Sequence, residues 1–140
     1  MSVYLDTSVI VALFVVDPLN DRAETAMRGP HGQVIVSDLS GAEFASVIAQ
    51  RVRTRDLSSS EARAAFENFD YWCSRYAQPV SMEGIDVSRA AALLRRLDLP
   101  LRTPDAFHVA MTRRIGCPLL TFDRSMANVA RTLGTEVVKA

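Results

Sequence analysis

Apolar residues in this chain fall into two patterns, short unbroken runs and stretches that recur every three or four positions. Val3-Tyr4-Leu5 is a short apolar run closed by Asp6, the pattern of a buried strand in a parallel sheet. Thr7 or Ser8 can cap a helix that runs to about Val16 and stops before Pro18. Gln33 to Ser37 reads as a second strand, and beyond it Phe44, Val47, Ile48 and Val52 recur at helical spacing. Ser58 to Ser60 open a further helix, with Ala62, Ala65, Phe66, Phe69, Cys73 and Tyr76 on its apolar face. Pro79 to Met82 predicts a brief edge segment. Asp86 caps a helix carrying Ala90, Leu93, Leu94 and Leu97 on one stripe and ending before Pro100.

Thr103-Pro104-Asp105 is a clear helix start: a hydroxyl cap, a proline in the first turn and an acid beside it. Phe107, Ala110, Met111 and Ile115 make its buried face, and Gly116 suits its C-terminus. Pro118 to Phe122 predicts a third strand ending at Asp123. A last helix carries Met126, Val129, Ala130 and Leu133, and Gly134 precedes a final strand at Val137-Val138. Strands alternate with helices along the whole chain. The expected class is therefore α/β, a small mostly parallel sheet flanked by helices.

Composition narrows the function. At 140 residues, one domain (1–140) is the natural count, and 49% hydrophobic with 23% charged residues excludes a disordered or fibrous chain. Sixteen basic and sixteen acidic residues give zero formal charge, so binding of nucleic acid through bulk charge is excluded while a local basic surface is not. Cys73 and Cys117 form no CxxC pair, which argues against a structural zinc site or a disulfide framework. No run reaches the 18 or so apolar residues of a membrane span. The apolar stretch from Val9 to Val16 lacks a basic n-region and is bracketed by Asp6 and Asp17, so it is not read as a signal peptide. The expected location is the cytoplasm.

The chemistry lies in the acids. Asp6 and Asp123 close apolar strands, and Glu43 and Asp105 fall in the first turns of predicted helices. In a doubly wound sheet, strand C-termini and the helix N-termini that follow share the edge where ligands bind. Four carboxylates on that edge would repel one another unless neutralised. A hard divalent cation, Mg²⁺ or Mn²⁺, suits carboxylate and water oxygens. Each acid also has an ordinary structural reading. Glu43 can complete a capping box from Ser40, Asp105 can serve the helix dipole, Asp6 can cap the next helix and Asp123 can open a turn. Their joint placement favours a metal site.

The stretch Val3 to Ser8, Glu43 after the second strand, Pro104-Asp105-Ala106, and Leu120-Thr121-Phe122-Asp123 together resemble the PIN domain, and within it the VapC-type toxins of bacterial type II toxin–antitoxin pairs. The resemblance spans the chain from residue 3 to about 138. It implies a PIN-like three-layer sandwich and a metal-dependent endoribonuclease acting on RNA. It also implies a homodimer held by a cognate antitoxin. By the same resemblance Asp6, Glu43, Asp105 and Asp123 form the acidic site, with Thr7 or Ser8 supplying a hydroxyl; we assign Asp6 and Asp105 as direct metal ligands, and Glu43 and Asp123 either to bind the metal through water or to orient the attacking water. Where some relatives carry a further acid, this chain has Arg124, Ser125 and Met126.

Other residues read differently. His108 shares a helix side with Asp105 and reads as a structural histidine beside the sheet rather than a proton shuttle. Arg51, Arg53, Arg55, Arg95 and Arg96 are candidates for phosphate contacts, though a solvated face is the commoner explanation. Tyr71 and Trp72 cannot both share the apolar stripe of their helix, which leaves one of them for a partner chain or a base. A phosphoacceptor or phosphatase-like domain would need a lysine near the last strand, and the chain's one lysine is Lys139. A non-catalytic module that keeps only the fold is the remaining alternative.

Overall fold

The fold is organised around a four-stranded parallel sheet of order β3-β2-β1-β4, seen in a computed structural model that describes residues 1–139. β1 (Ser2–Leu5) and β2 (Gln33–Ser37) are the central strands, with Val3 opposite Val34 and Tyr4 opposite Ile35. β4 (Leu119–Leu120) lies on the other side of β1. Alternate side chains along β1 feed separate cores. Val3 and Leu5 pack with Val34, Val36, Ile10, Phe44 and Phe69 on one face, while Tyr4 packs with Ile35, Val109, Met111 and Met126 on the other. This arrangement buries both faces of the central strands, so their sequences are apolar runs rather than alternations. The three layers expected from the sequence are present.

β3 (Ala77–Val80) is the edge strand, two residues earlier than the sequence predicts. Pro79 is tolerated there because an edge strand need not donate from every N–H. The Ala77 N–H is spent on the Cys73 carbonyl, so this edge offers few donors to a further strand. The expected final strand is one parallel bridge, Val137 to Leu119, supported by a bond from the Val138 N–H to the Leu119 carbonyl (2.9 Å).

The helices depart from expectation mainly at their ends. α1 (Thr7–Phe14) is capped by Asp6 rather than by Thr7 or Ser8, because the strand turns into helix at the acid itself. α2 (Asn20–Arg28) is an addition to the expected elements; its core face is short and mostly small, with Ala23 buried and Ala26 and Met27 partly so. Tertiary contact explains it: Asn20 Nδ2 donates to the carbonyls of Ala12 (2.6 Å) and Val15 (2.8 Å) and closes the end of α1. α3 (Asp38–Arg53) starts one turn before the predicted box, with the Ser37 hydroxyl accepting from the Ser40 N–H (3.0 Å). Glu43 is therefore in the second turn, and no Ser40–Glu43 box forms.

α4 (Ser59–Tyr76) begins as predicted, with a capping box between Ser58 and Glu61. Tyr76, expected on its buried stripe, is 61% exposed, and Tyr71 is likewise exposed beneath Arg75, whereas Trp72 packs against Phe14. α5 (Gly84–Arg95) is capped by Glu83, with Asp86 as its third residue rather than its cap. Leu97 lies beyond α5 with φ 66° and 91% exposure, not on the buried stripe. α6 (Thr103–Ile115) is preceded by Arg102 as cap, so the Thr103 hydroxyl is not the capping group. Gly116 ends it at φ 76°, a left-handed position that suits glycine. α7 (Arg124–Thr132) is capped by Asp123, which shortens the predicted third strand to two residues. Cys73 and Cys117 are both free. No helix among the described residues is long and apolar enough to cross a membrane.

Candidate active site

Asp6 occupies the junction at which β1 becomes α1, 3% exposed. Its Oδ1 accepts from the Ser8 hydroxyl (2.6 Å) and, at longer range, the Val9 N–H (3.4 Å). Its Oδ2 accepts from the Thr121 hydroxyl (2.6 Å). No guanidinium or ammonium is among these partners. Burial pushes the Asp6 carboxyl above its ordinary range, and the two hydroxyl bonds and the His108 ring offset only part of that rise. The expected repulsion between clustered acids is not its cause; desolvation is.

The hydroxyls that hold Asp6 also hold the chain leaving β4. Ser8 Oγ accepts from the Phe122 N–H (3.1 Å), and Thr121 Oγ1 accepts from the Asp123 N–H (3.0 Å). Asp6 and Asp123 are thus joined through Thr121, and Asp123 then accepts from the Met126 N–H (3.1 Å) as the cap of α7. Ser8 is the hydroxyl beside Asp6. Thr7 faces the other way and donates to Glu43 Oε1 (2.8 Å).

Glu43 lies half-buried between Thr7 and His108, whose Nε2 shares a short hydrogen bond with Glu43 Oε1. Burial works to raise this carboxyl, but the His108 contact, the Thr7 hydroxyl and the charge of Arg102 outweigh it and hold Glu43 below the usual glutamate range. Behind His108 runs a buried ladder of hydroxyls. Ser40 donates to the Leu5 carbonyl (3.3 Å) and Ser37 donates to Ser40 (3.1 Å). The Tyr4 hydroxyl shares hydrogen bonds with Ser37 Oγ (2.9 Å) and with His108 Nδ1 (2.6 Å). The ladder fixes the ring with Nε2 toward Glu43. Tyr4 itself is fully buried, and burial raises its phenol far above the ordinary value, so it remains a neutral donor.

Asp105 is the third residue of α6. Its Oδ2 accepts from the Arg102 N–H (3.3 Å) and faces the Arg102 guanidinium (3.6 Å), which is largely exposed. His108 follows one turn later. The predicted residues therefore form two linked groups, Asp6–Ser8–Thr121–Asp123 and Glu43–Thr7–His108, joined through the adjacent residues Ser8 and Thr7, with Asp105 held at the start of α6. Among the described residues, no three His, Cys, Asp or Glu side chains close around a common point. The donors are nonetheless hard oxygens, and Asp6 is a buried carboxylate without a cation. That set fits an ion held by one or two carboxylates with the rest of its shell water, as Mg²⁺ commonly is, better than an all-protein cage.

Tyr4, Ser37, Thr121 and Arg102 were not anticipated. Tyr4 was read as core, and a phenol in an otherwise aliphatic strand was its only signal. Thr121, two residues before Asp123, looked like any strand residue. Arg102 carries no local signal that separates it from the chain's other arginines; its role comes from the fold that sets it beside Asp105.

The fold, with acids at the C-terminal ends of parallel strands, is that of a PIN domain. The PIN domain family model matches residues 3–132, and the chain belongs to that family. The chain is similar to ribonuclease VapC46 of Mycobacterium tuberculosis, at 29% identity over 140 residues, covering 98% of this chain and 96% of that protein. Among solved structures, the M. tuberculosis sarcin–ricin loop cleaving toxin VapC20 superposes with a TM-score of 0.77 at 20% identity, covering 99% of each chain. VapBC2 of Rickettsia felis, bound to a DNA fragment from its promoter, superposes with a TM-score of 0.67 at 12% identity, covering 99% of this chain and 98% of that one.

Proposed function

We propose that this PIN domain is a metal-dependent endoribonuclease and the toxin of a toxin–antitoxin pair. One observation carries the reading: a buried carboxylate, Asp6, stands at a parallel strand end with two hydroxyls and a backbone N–H as partners and no arginine or lysine among them. Similarity to a VapC ribonuclease supports RNA as the substrate.

Asp6 and Asp105 are the residues that would hold Mg²⁺ or Mn²⁺ directly, with Glu43 and Asp123 reaching it through water. Such an ion, when bound, makes a coordinated water more acidic and neutralises charge on a phosphoryl oxygen. The chain's own residues supply the rest. Ser8 and Thr121 orient the two oxygens of Asp6. Glu43, kept ionised by His108 and Arg102, is the carboxylate available to orient an attacking water and accept its proton at Oε2 or Oε1. The rigid ladder from Leu5 to His108 keeps that carboxylate in place, which is where catalytic advantage comes from when little covalent chemistry is asked of the protein.

An active ribonuclease is hazardous to its own cell, which favours a neutralising partner. An antitoxin Arg or Lys placed at this edge would supply the cation that Asp6 lacks. Solved relatives include a toxin–antitoxin complex from Klebsiella pneumoniae and VapBC-1 from nontypeable Haemophilus influenzae. Pairing of two copies into a homodimer is part of the same proposal.

The test is cleavage of a total RNA pool by the purified chain, with Mg²⁺, with Mn²⁺ and with EDTA, the cut ends being mapped. Cleavage dependent on either ion and abolished by EDTA is expected. An inert protein that is folded and metal-supplied would overturn the reading.

A further inference from the structure

A cleft between α2, α7 and the C-terminal segment is left unused by the chemistry above. It encloses about 340 Å³, and Arg22, Arg124, Arg131 and Lys139 line it, with Asp123 as the one acid among its described lining residues. These cations come from three separate segments of a chain whose formal net charge is zero, so their meeting is a local asymmetry rather than a consequence of composition. Arg124, Asn128 and Arg131 are spaced four and three apart and share one face of α7. Phe122 also lines the cleft, with the Arg22 guanidinium 4.8 Å from its ring centre. Thr121, which donates to Asp6, and Asp123 are among its lining residues. The basic hollow therefore opens directly onto the candidate site.

None of the five arginines singled out from the sequence is among the described residues that line this cleft. Arg51 is committed to Asp17 (3.3 Å) and the Val16 carbonyl, and Arg96 to Asp98. We propose that this cleft is the track for single-stranded RNA beside the bond to be cut, with Arg124, Arg131 and Lys139 on phosphates and Phe122 against a base. The proposal rests on the nuclease reading for its substrate. An aromatic ring among cations that lead away from an acidic centre suits a strand with alternating phosphates and bases better than an acidic peptide.

The experiment is fluorescence anisotropy of a labelled, unstructured oligouridine with the full chain in EDTA, over a range of salt. Arg124→Glu/Arg131→Glu is compared with Arg53→Glu/Arg55→Glu, with melting curves for each. The cleft variant should lose at least about tenfold in affinity, and its salt slope should fall by about 0.7 for each phosphate contact removed. The comparison variant should keep both. Phe122→Leu, which keeps apolar bulk but removes the ring face, should lose roughly fivefold. If the double variant melts early, Arg124→Glu alone serves, since an acid in the first turn suits the helix dipole. The proposal is overturned by unchanged RNA affinity in a folded cleft variant, by equal loss in the comparison variant, or by a polyglutamate peptide binding wild type as tightly as oligouridine of equal charge. Cleft-dependent binding without metal-dependent cleavage would overturn the nuclease reading and leave the cleft; cleavage with unchanged binding in the variant would do the reverse.

Discussion

Asp6 and Asp86 are both buried aspartates at the beginnings of helices, 3% and 0% exposed, and the protein treats them in opposite ways. Asp86 receives the Arg114 guanidinium on both oxygens, Nε to Oδ1 at 2.8 Å and Nη2 to Oδ2 at 2.9 Å, and the Glu83 N–H at 2.8 Å. Burial works against its charge, but the forked arginine contact outweighs burial and the carboxyl ends below its ordinary range. Asp6 receives two hydroxyls and no arginine, and its carboxyl ends above that range. The chain can thus bury an aspartate together with its cation, and does so where α5 and α6 are joined. At Asp6 it withholds the cation. A carboxylate kept in that state costs stability unless something outside the chain completes it, which is the expected mark of a site rather than of a structural joint.

Four measurements would break or sharpen this contrast. Asp86→Ala leaves Arg114 without its main partner and should lower stability by about 3 kcal/mol. Urea denaturation checks this, and the folded fraction should retain wild-type cleavage per molecule. Asp6→Asn should do the reverse, reducing RNA cleavage by about a hundredfold or more, the scale of losing an important electrostatic group, while the fold stays intact. Wild-type rates from a folded Asp6→Asn protein would remove Asp6 from the site.

Tyr4→Phe tests the ladder that serves Glu43. It removes the hydroxyl that partners His108 Nδ1, while Ser37 keeps its bonds with Ser40, so a loss of about 1–2 kcal/mol is expected in thermal or urea melts. If the ladder only fills space, the loss in stability should come without any change in kcat. A fall in kcat at unchanged KM marks it as the support of Glu43.

The smallest effect concerns pH. Because the folded-state pKa of Asp6 is raised, protonation favours the folded protein. Its stabilising share is complete below the unfolded pKa and is lost as pH rises through the folded value. In EDTA at neutral pH, Asp6→Asn should therefore be more stable than wild type by on the order of 1 kcal/mol. That advantage should vanish as pH falls below the unfolded aspartate range. Millimolar Mg²⁺ should raise the wild-type Tm by mass action and raise that of the variant much less. A variant less stable than wild type in EDTA, with equal Mg²⁺ shifts in both, would show Asp6 to be an ordinary cap.

Some of this was legible in the residues themselves. Apolar runs are read directly because both faces of a central parallel strand must be buried, so β1 and β2 fall where the pattern puts them. The serine at the start of α4 and the glycine at the end of α6 act through their own backbone neighbours, and local chemistry is what a sequence states most plainly. Asp6, Asp105 and Asp123 stand at the strand and helix ends where the same logic puts them, whereas Glu43 lies in the second turn of α3. α2 is not legible because its core-facing positions, Ala23, Ala26 and Met27, make a short stripe of mostly small side chains, and Asn20 closing the end of α1 is a contact no periodicity records.

What only the tertiary structure decided is how the acids are partnered. Asp6 is 115 positions from Thr121, Glu43 is 65 from His108, and Tyr4 is 104 from His108, so the hydroxyls and ring that set their charge arrive from distant parts of the chain. The same holds for the basic cleft, whose cations are unremarkable on α2, α7 and the C-terminal segment until folding brings them together. A sequence lists ionisable groups; desolvation and the distance to the nearest donor or cation decide what each one does. Those quantities exist only after the sheet has closed over Asp6 and placed Arg114, rather than any residue near Asp6, beside the other buried aspartate.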